Sequence, residues 1–147
     1  MGLFDKFKGS SDFEPKNEQE AWTSILYACA AVDGEISDAE IDSFSRLLLF
    51  KQKFKNYNFG DLFQRLSKAN KEIGGKQIIE KSAKKVTDEY KQTVFALAME
   101  TVLSDGSLGD KEAELVEILS KSLALTETDS QKIVDVILIK MKGNLVF

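Results

Sequence analysis

The sequence predicts an all-α protein, a single domain of about seven helices, and three observations lead to that fold class. The chain of 147 residues contains one proline, Pro15, and nine glycines, and so few helix breakers favour long helices. Apolar residues recur at steps of three and four along most of the chain, and no long segment shows the alternation typical of a strand. The length fits one domain, and a composition of 43% hydrophobic and 30% charged residues is that of a globular protein.

The first two helices have clear start signals. Asn17 and Glu20 have the spacing of a capping box, so the first helix is predicted over about 18–32. Its apolar stripe consists of Trp22, Ile25, Leu26, Cys29 and Val32. The second helix is predicted over about 38–51, after Ser37 and Glu40, which are spaced as a second capping box. Its inward residues are Ile41, Phe44, Leu47 and Leu48.

The other five helices follow from apolar spacing and from breakers. A helix near 59–72 carries Leu62, Phe63 and Leu66, and Gly74 and Gly75 are predicted to interrupt the helical structure after it. A shorter helix follows, with the inward residues Ile78, Ile79, Ala83 and Val86. Thr87 is the predicted cap of a helix over about 88–104. The sixth helix is predicted over about 110–122, and the last begins near Thr128.

Residues 1–16 are predicted to be a flexible, amphipathic N-terminal tip and linker, followed by the helical domain over 17–147. The tip, MGLFDKFK, places Leu3, Phe4 and Phe7 on one side of a helical segment too short to be stable alone in water. It could dock on its own domain, on a partner protein or at a membrane surface, and we expect docking on protein. No apolar run is long enough for a transmembrane segment, and the single Cys29 fits a cytoplasmic protein.

An internal repeat is the most informative feature of the sequence. The segments AVDGEISDAE (31–40) and LSDGSLGDKE (103–112) align at an offset of 72 residues, and each lies between two amphipathic helices. The alignment also pairs Phe44 with Val116 and Leu47 with Leu119. Two such helical hairpins are predicted to pack face to face about a pseudo-twofold axis, because each can bury its apolar stripe only against the other.

Turn and capping chemistry explains much of the repeated pattern without a ligand. Gly34 can adopt the left-handed conformation, and Ile36 and Ile41 are spaced as a hydrophobic staple around the second capping box. Asp33 and Asp105 are different, because each follows the C-terminal end of a helix. The helix dipole there disfavours a carboxylate by roughly 0.3–1 kcal/mol.

A divalent cation is the alternative interpretation of the acidic loops. If both loops lie at one pole, up to seven carboxylates gather there and need a counter-charge. The candidate metal ligands are Asp33, Glu35, Asp38, Glu40, Asp105, Asp110 and Glu112. Ca²⁺ or Mg²⁺ fits better than softer metals, since the chain has no His and one Cys. The first loop is not a working EF-hand, because two ligand positions fall on Cys29 and Ala31.

Charge and residue types exclude several classes of function. Residues 1–50 hold ten acidic and four basic residues, whereas residues 51–91 hold eleven basic and five acidic residues. We interpret this basic middle as a solvated helical face, because no Arg-rich motif supports nucleic-acid binding. The absence of His excludes His-dependent triads and His-ligated zinc, so an enzyme is not expected. Cys29 lies on the apolar stripe and is interpreted as a core residue.

The two DG-x-[I/L]-x-D-x-E loops between long helices resemble those of the tellurite-resistance TerB-like family, over about residues 18–141. The helical module is also similar to the N-terminal domain of a membrane-anchored J-domain co-chaperone, although this chain has no J domain. The resemblance implies a cytoplasmic, non-enzymatic protein that acts in tellurite and stress resistance with membrane and cytoplasmic protein partners. It implies a divalent-cation site formed by Asp33, Asp38, Glu40, Asp105, Asp110 and Glu112.

Two features lie outside the family pattern. Ser107 stands where the first loop has Glu35, so the second loop offers fewer carboxylates. The N-terminal tip lies before the region of resemblance. The alternative function is therefore a metal-independent helical scaffold for protein interactions, recruited through its helical surface and this tip.

Overall fold

The computed structural model describes residues 12–32, 34, 36–104 and 108–144, and these residues form an all-α fold without strands. The seven α-helices of this part of the chain are α1 (Glu18–Ala30), α2 (Asp38–Leu49), α3 (Leu62–Glu72), α4 (Gly74–Ala83), α5 (Lys91–Val102), α6 (Asp110–Ser122) and α7 (Glu127–Lys140). Short 3₁₀ helices, Gln52–Phe54 and Asp88–Tyr90, precede α3 and α5. The predicted fold class is confirmed.

Local signals set the starts of the two repeat-equivalent helices, as predicted. Ser37 is the N-cap of α2 and forms a complete capping box with Glu40. Gly109 is the N-cap of α6 and has no side chain, so only the reciprocal half of the box forms. Its backbone N–H donates to Glu112 Oε1 at 2.9 Å. Gly34, before α2, has a φ of +113°, in the region that favours glycine.

The position of the two adjacent glycines differs from the prediction. Gly74 and Gly75 do not separate two helices by a loop but form the first residues of α4. Gly74 has a φ of +81°, which lets the chain turn directly from α3 into α4. The third helix begins at Leu62 and not near 59, so a connection of twelve residues, which includes a 3₁₀ helix, joins α2 to α3.

Helix α4 changes how the two repeats pack. The hairpins α1–α2 and α5–α6 contact each other mainly through α1 and α5, and α4 packs against both α1 and α6. At its start, a Cβ on Gly75 would lie 3.7 Å from Ala28 Cβ and 3.8 Å from Leu115 Cδ1. The expectation that each hairpin buries its stripe only against the other is therefore wrong, because α4 covers part of both stripes. The largest fully buried side chains come from α1 to α5 and the 3₁₀ helix before α3, and they include Trp22, Phe44, Phe54, Phe95, Leu66 and Ile78.

Packing begins before the predicted domain boundary at residue 17. Phe13 is buried, and its carbonyl accepts a hydrogen bond from Lys81 Nζ at 3.1 Å. The Arg65 guanidinium lies over the Phe13 ring, 5.4 Å from its centre. The described end of the predicted linker, residues 12–16, thus lies against α3 and α4, whereas residues 1–11, which include the tip, are outside the described residues.

Transmembrane helices were not expected from the sequence. Among the described residues, none of the helices combines the length and the hydropathy that crossing a bilayer requires.

Candidate functional site

The first turns of α2 and α6 border the same cavity at one pole of the bundle. Glu40 of α2 and Glu112 of α6 line the same cavity, which has a volume of about 340 Å³. The wall of this cavity is completed mainly by α1, α5 and the end of α7. We call it the acidic pocket, and its polar lining comprises Cys29, Glu40, Ser43, Glu100, Thr101, Ser104, Glu112, Lys140 and Asn144. The two repeat-equivalent glutamates thus face one space.

Each of these glutamates uses one carboxylate oxygen to cap its own helix. Glu40 Oε1 accepts hydrogen bonds from Ser37 N at 3.1 Å and from Ser37 Oγ at 3.0 Å. Glu112 Oε1 accepts a hydrogen bond from Gly109 N at 2.9 Å. Within the described part of the chain, Oε2 of either glutamate accepts no hydrogen bond. Helix capping therefore accounts for one of the two oxygens of each carboxylate.

The other predicted ligands lie elsewhere or outside the described residues. Asp38 and Asp110 are exposed first residues of α2 and α6, where the helix dipole stabilises their charge, and neither lines the acidic pocket. Asp33, Glu35 and Asp105 are outside the described residues. The described ranges contain no group of three or more His, Cys, Asp or Glu side chains that could hold a metal ion.

Helix α7 supplies a wall that the sequence reasoning missed. Lys140 Nζ donates a hydrogen bond to Glu100 Oε1 in an ion pair between α7 and α5. Asn144 Nδ2 donates to the Ser104 carbonyl at 2.8 Å. Both contacts join residues forty positions apart, so no local motif could reveal them. The first contact places the Lys140 ammonium group at the edge of the acidic pocket.

Cys29 lines the acidic pocket but is not suited to bind a metal. It is buried, as predicted for a core residue. Burial raises the pKa of its thiol to about 12, and the charge of Glu112 adds to the effect. The thiol is therefore protonated at neutral pH, and as a single soft donor it does not match a hard cation. The remaining donors are oxygens, which fit a hard cation such as Ca²⁺ or Mg²⁺.

The opposite pole contains a buried ion pair. Glu20 is 6% exposed, and Arg65 Nη1 of α3 lies 3.0 Å from both of its carboxylate oxygens. Glu20 also accepts a hydrogen bond from Lys16 N at 2.9 Å, while its own backbone N–H donates to Asn17 Oδ1 at 2.8 Å. Asn17 is thus the predicted N-cap, but the Glu20 carboxylate binds one residue earlier than a capping box requires.

Glu18 has several donors at the same pole. Lys53 Nζ lies 3.1 Å from its carboxylate, Thr87 N donates to it at 3.1 Å and Trp22 Nε1 at 3.2 Å. Burial by itself would raise the pKa of Glu18, but the hydrogen bonds from Thr87, Lys53 and Trp22 outweigh burial and lower it.

These pairs correct one interpretation of the sequence at three positions. Lys53, Arg65 and Lys81 belong to the basic middle of the chain, which was interpreted as a solvated face. All three instead pair with acids near the N-terminus, on Glu18, Glu20 and Glu14 respectively. The available signal was the complementary charge of residues 1–50 and 51–91.

Comparison with known protein families matches residues 19–135 to the family described as Tellurite resistance protein TerB. None of the curated proteins and none of the solved structures matches this chain. The matched region spans well over half of the chain and includes both acidic loops and the helices that flank them. The chain therefore belongs to the TerB family of tellurite resistance proteins.

Proposed function

We propose that this TerB-family chain is a non-enzymatic protein that binds a divalent cation, Ca²⁺ or Mg²⁺, at the acidic pocket. One observation carries the proposal: Glu40 and Glu112, which occupy equivalent positions in the two repeats, line one cavity. Each retains one carboxylate oxygen that helix capping does not use. Hard cations prefer several oxygen ligands of this kind.

The loops would supply the other ligands. Two carboxylates are too few for a Ca²⁺ site, which takes six to eight oxygens, so Asp33, Glu35 and Asp105 are the proposed additional ligands. Asp38 and Asp110 are exposed at the first positions of their helices and would bind through water or attract the cation from solution.

A binding role, and not catalysis, suits the chemistry of the chain. The sequence has no His for acid–base work, and the one thiol, on Cys29, is buried with a raised pKa. We infer that the protein acts in the cytoplasm within tellurite- or stress-resistance complexes, with protein partners that include membrane-associated ones. The family membership supports this assignment.

The test is thermal unfolding with and without millimolar Ca²⁺ or Mg²⁺. A cation at ten times its Kd adds about 1.4 kcal/mol to the free energy of unfolding, so Tm should rise. Asp33→Asn combined with Asp105→Asn should abolish the rise and leave both helix caps intact. An unchanged Tm of the wild-type protein would contradict cation binding and would mean that the acidic residues of the loops serve only to cap helices.

The matched control removes two acids from the same helices but away from the acidic pocket. Asp42 of α2 and Glu117 of α6 each form an exposed i,i+4 ion pair with Arg46 and Lys121. Asp42→Asn combined with Glu117→Gln should keep the full cation-induced rise in Tm. Loss of the rise in this control would indicate a nonspecific effect of net charge.

A metal-independent interaction scaffold is the second candidate. Large apolar side chains are exposed on the described surface, with Phe50 88%, Ile139 65% and Val136 61% exposed. Capture of a partner that ignores a chelator but is lost on substitution of Leu3, Phe4 and Phe7 would favour this function over cation binding.

A further inference from the structure

The acidic pocket has an apolar lining as well as a polar one. Val32 after α1, Leu47 of α2 and Met141 after α7 line it, and all three are only half-buried. A hard cation binds oxygen ligands, so the proposed ion would leave these side chains beside water. Contact between apolar surface and water is unfavourable, and a segment that covered this surface would stabilise the fold. The apolar lining therefore favours a second, apolar occupant.

Leu47 has less cover than its counterpart in the second repeat. At the offset of 72 residues, Leu47 corresponds to Leu119 of α6, which is 0% exposed. Helix α6 packs against α4 as well as α1 and α5, whereas α2 packs mainly against α1 and the 3₁₀ helix Gln52–Phe54. In the described part of the chain, no helix packs as extensively against α2 as α4 does against α6. The first repeat is thus the less completely covered of the two.

The chain leaves the described residues at the wall of the acidic pocket. Asn144, the last of them, lines the pocket, and its Nδ2 donates to the carbonyl of Ser104, another lining residue, at 2.8 Å. The backbone N–H of Asn144 donates to the Met141 carbonyl at 3.1 Å, in a turn for which Gly143 adopts a φ of +90°. Residue 145 therefore starts at the pocket, and no intervening segment has to bridge a gap.

Residues 145–147 have the composition that the apolar lining favours. They are Leu145, Val146 and Phe147, and none of these side chains carries a charge, so their burial requires no desolvation of an ion. Three extended residues span about 10 Å, which is comparable with the width of a cavity of about 340 Å³. The segment is therefore long enough to extend from Asn144 across the pocket.

We propose that residues 145–147 turn back over the acidic pocket and cover Val32, Leu47 and Met141, so that this segment forms a lid over the apolar lining. The contact requires no bound cation, because it joins apolar side chains. Both measurements below are therefore made with EDTA present, and absence of the lid would leave the proposed cation binding untouched.

Nuclear Overhauser effects in the full, isotope-labelled chain detect the lid directly. Protons of residues 145–147, including those of the Phe147 ring, should show cross-peaks to methyl groups of the three half-buried lining residues. Cross-peaks to Val136 and Ile139 instead, which are 61% and 65% exposed on α7, would place the segment on the outer face of that helix and overturn the proposal. Absence of cross-peaks between the segment and the pocket would overturn it as well.

Serine substitutions provide the second measurement. Leu145→Ser, Val146→Ser and Phe147→Ser together should lower the urea midpoint of the otherwise wild-type protein, because the apolar cover is lost. In a chain that also carries Leu47→Ala, the shift in midpoint should fall to about half or less, since part of the covered surface is already gone.

The matched control is Leu49→Ala on the same helix. Leu49 is 45% exposed and does not line the acidic pocket, so the serine substitutions should lower the midpoint by as much in this chain as in the wild-type protein. Equal shifts in the Leu47→Ala and Leu49→Ala chains would contradict the lid. The Overhauser measurement needs no substitution, so the test stands even if Leu47→Ala prevents folding.

Discussion

The two poles of the bundle hold their acidic side chains in different ways. Where α1 begins, Glu18 and Glu20 are neutralised by Lys53 and Arg65 from a distant part of the chain. Where α2 and α6 begin, Glu40 and Glu112 each accept a hydrogen bond from a backbone amide through Oε1. Both side chains also line the acidic pocket, and helix capping does not use their second carboxylate oxygen. Acids that the protein neutralises itself have a structural role, whereas the acids that line the cavity are the ones we propose to bind a cation.

The largest expected effect is at the paired pole. Arg65→Met leaves the Glu20 carboxylate buried without its cation, and this should lower the free energy of unfolding by about 3 kcal/mol. Urea denaturation at neutral pH measures the change.

The control for this substitution is the other arginine. Arg46 and Asp42 form an exposed pair, with side chains 70% and 63% exposed, so Arg46→Met should change stability by less than about 0.5 kcal/mol. Equal stability of the two arginine variants would contradict the claim that the buried Glu20 makes its ion pair with Arg65 important for folding.

A smaller effect, with a defined pH dependence, is expected for Glu18. Its pKa in the folded state lies below the ordinary value of 4.5, so its stabilising contribution is present above pH 4.5 and is lost as pH falls through the lowered pKa. Glu18→Gln should therefore be less stable than the wild-type protein at pH 7, and the two stabilities should converge in acid. Urea midpoints between pH 7 and pH 3 test this, and a constant gap would contradict it.

The acidic pole should respond to loss of its cap. Ser37→Ala removes the acceptor for Glu40 N, which lies 3.1 Å from Ser37 Oγ, and should lower the free energy of unfolding by about 1 kcal/mol. Ser43, exposed within α2, is the matched control. Ser43→Ala should be neutral or slightly stabilising, because alanine has the higher helix propensity. Thermal melts of the two variants compare the positions directly.

The smallest stability effect is expected at the edge of the acidic pocket. Lys140→Met breaks a partly exposed pair with Glu100 and should cost about 0.5 kcal/mol. If the proposed cation binds there, the same variant should show a larger Ca²⁺-induced rise in Tm, because a competing positive charge is gone. An equal rise in both proteins would place the cation away from Lys140.

The fold was predictable where the signal is local. The N-caps Asn17 and Ser37 and the conformation of Gly34 depend on neighbouring residues, and the structure has them as predicted. The packing of α4 against both α1 and α6 was not predictable, because the apolar stripe of a helix does not identify the helix that packs against it. The role of Gly74 was also missed, since a glycine pair has the same appearance in a loop and at a sharp helix junction.

The site was predictable only in part for the same reason. The repeat predicted that Glu40 and Glu112 gather at one pole, and both line the acidic pocket. The ion pairs of Glu20 with Arg65 and of Glu100 with Lys140 join residues 45 and 40 positions apart. The sequence shows how many acidic and basic residues each segment carries, but it does not show which of them pair in the fold.

The position of α4 also bears on how the protein unfolds. Because α4 covers apolar side chains of both α1 and α6, its departure would expose both halves of the core to water at once. The duplicated hairpins are therefore not two separate foldons, and heat or denaturant should melt them together in one all-or-none step. A chain with two sequence repeats should therefore unfold as one cooperative unit.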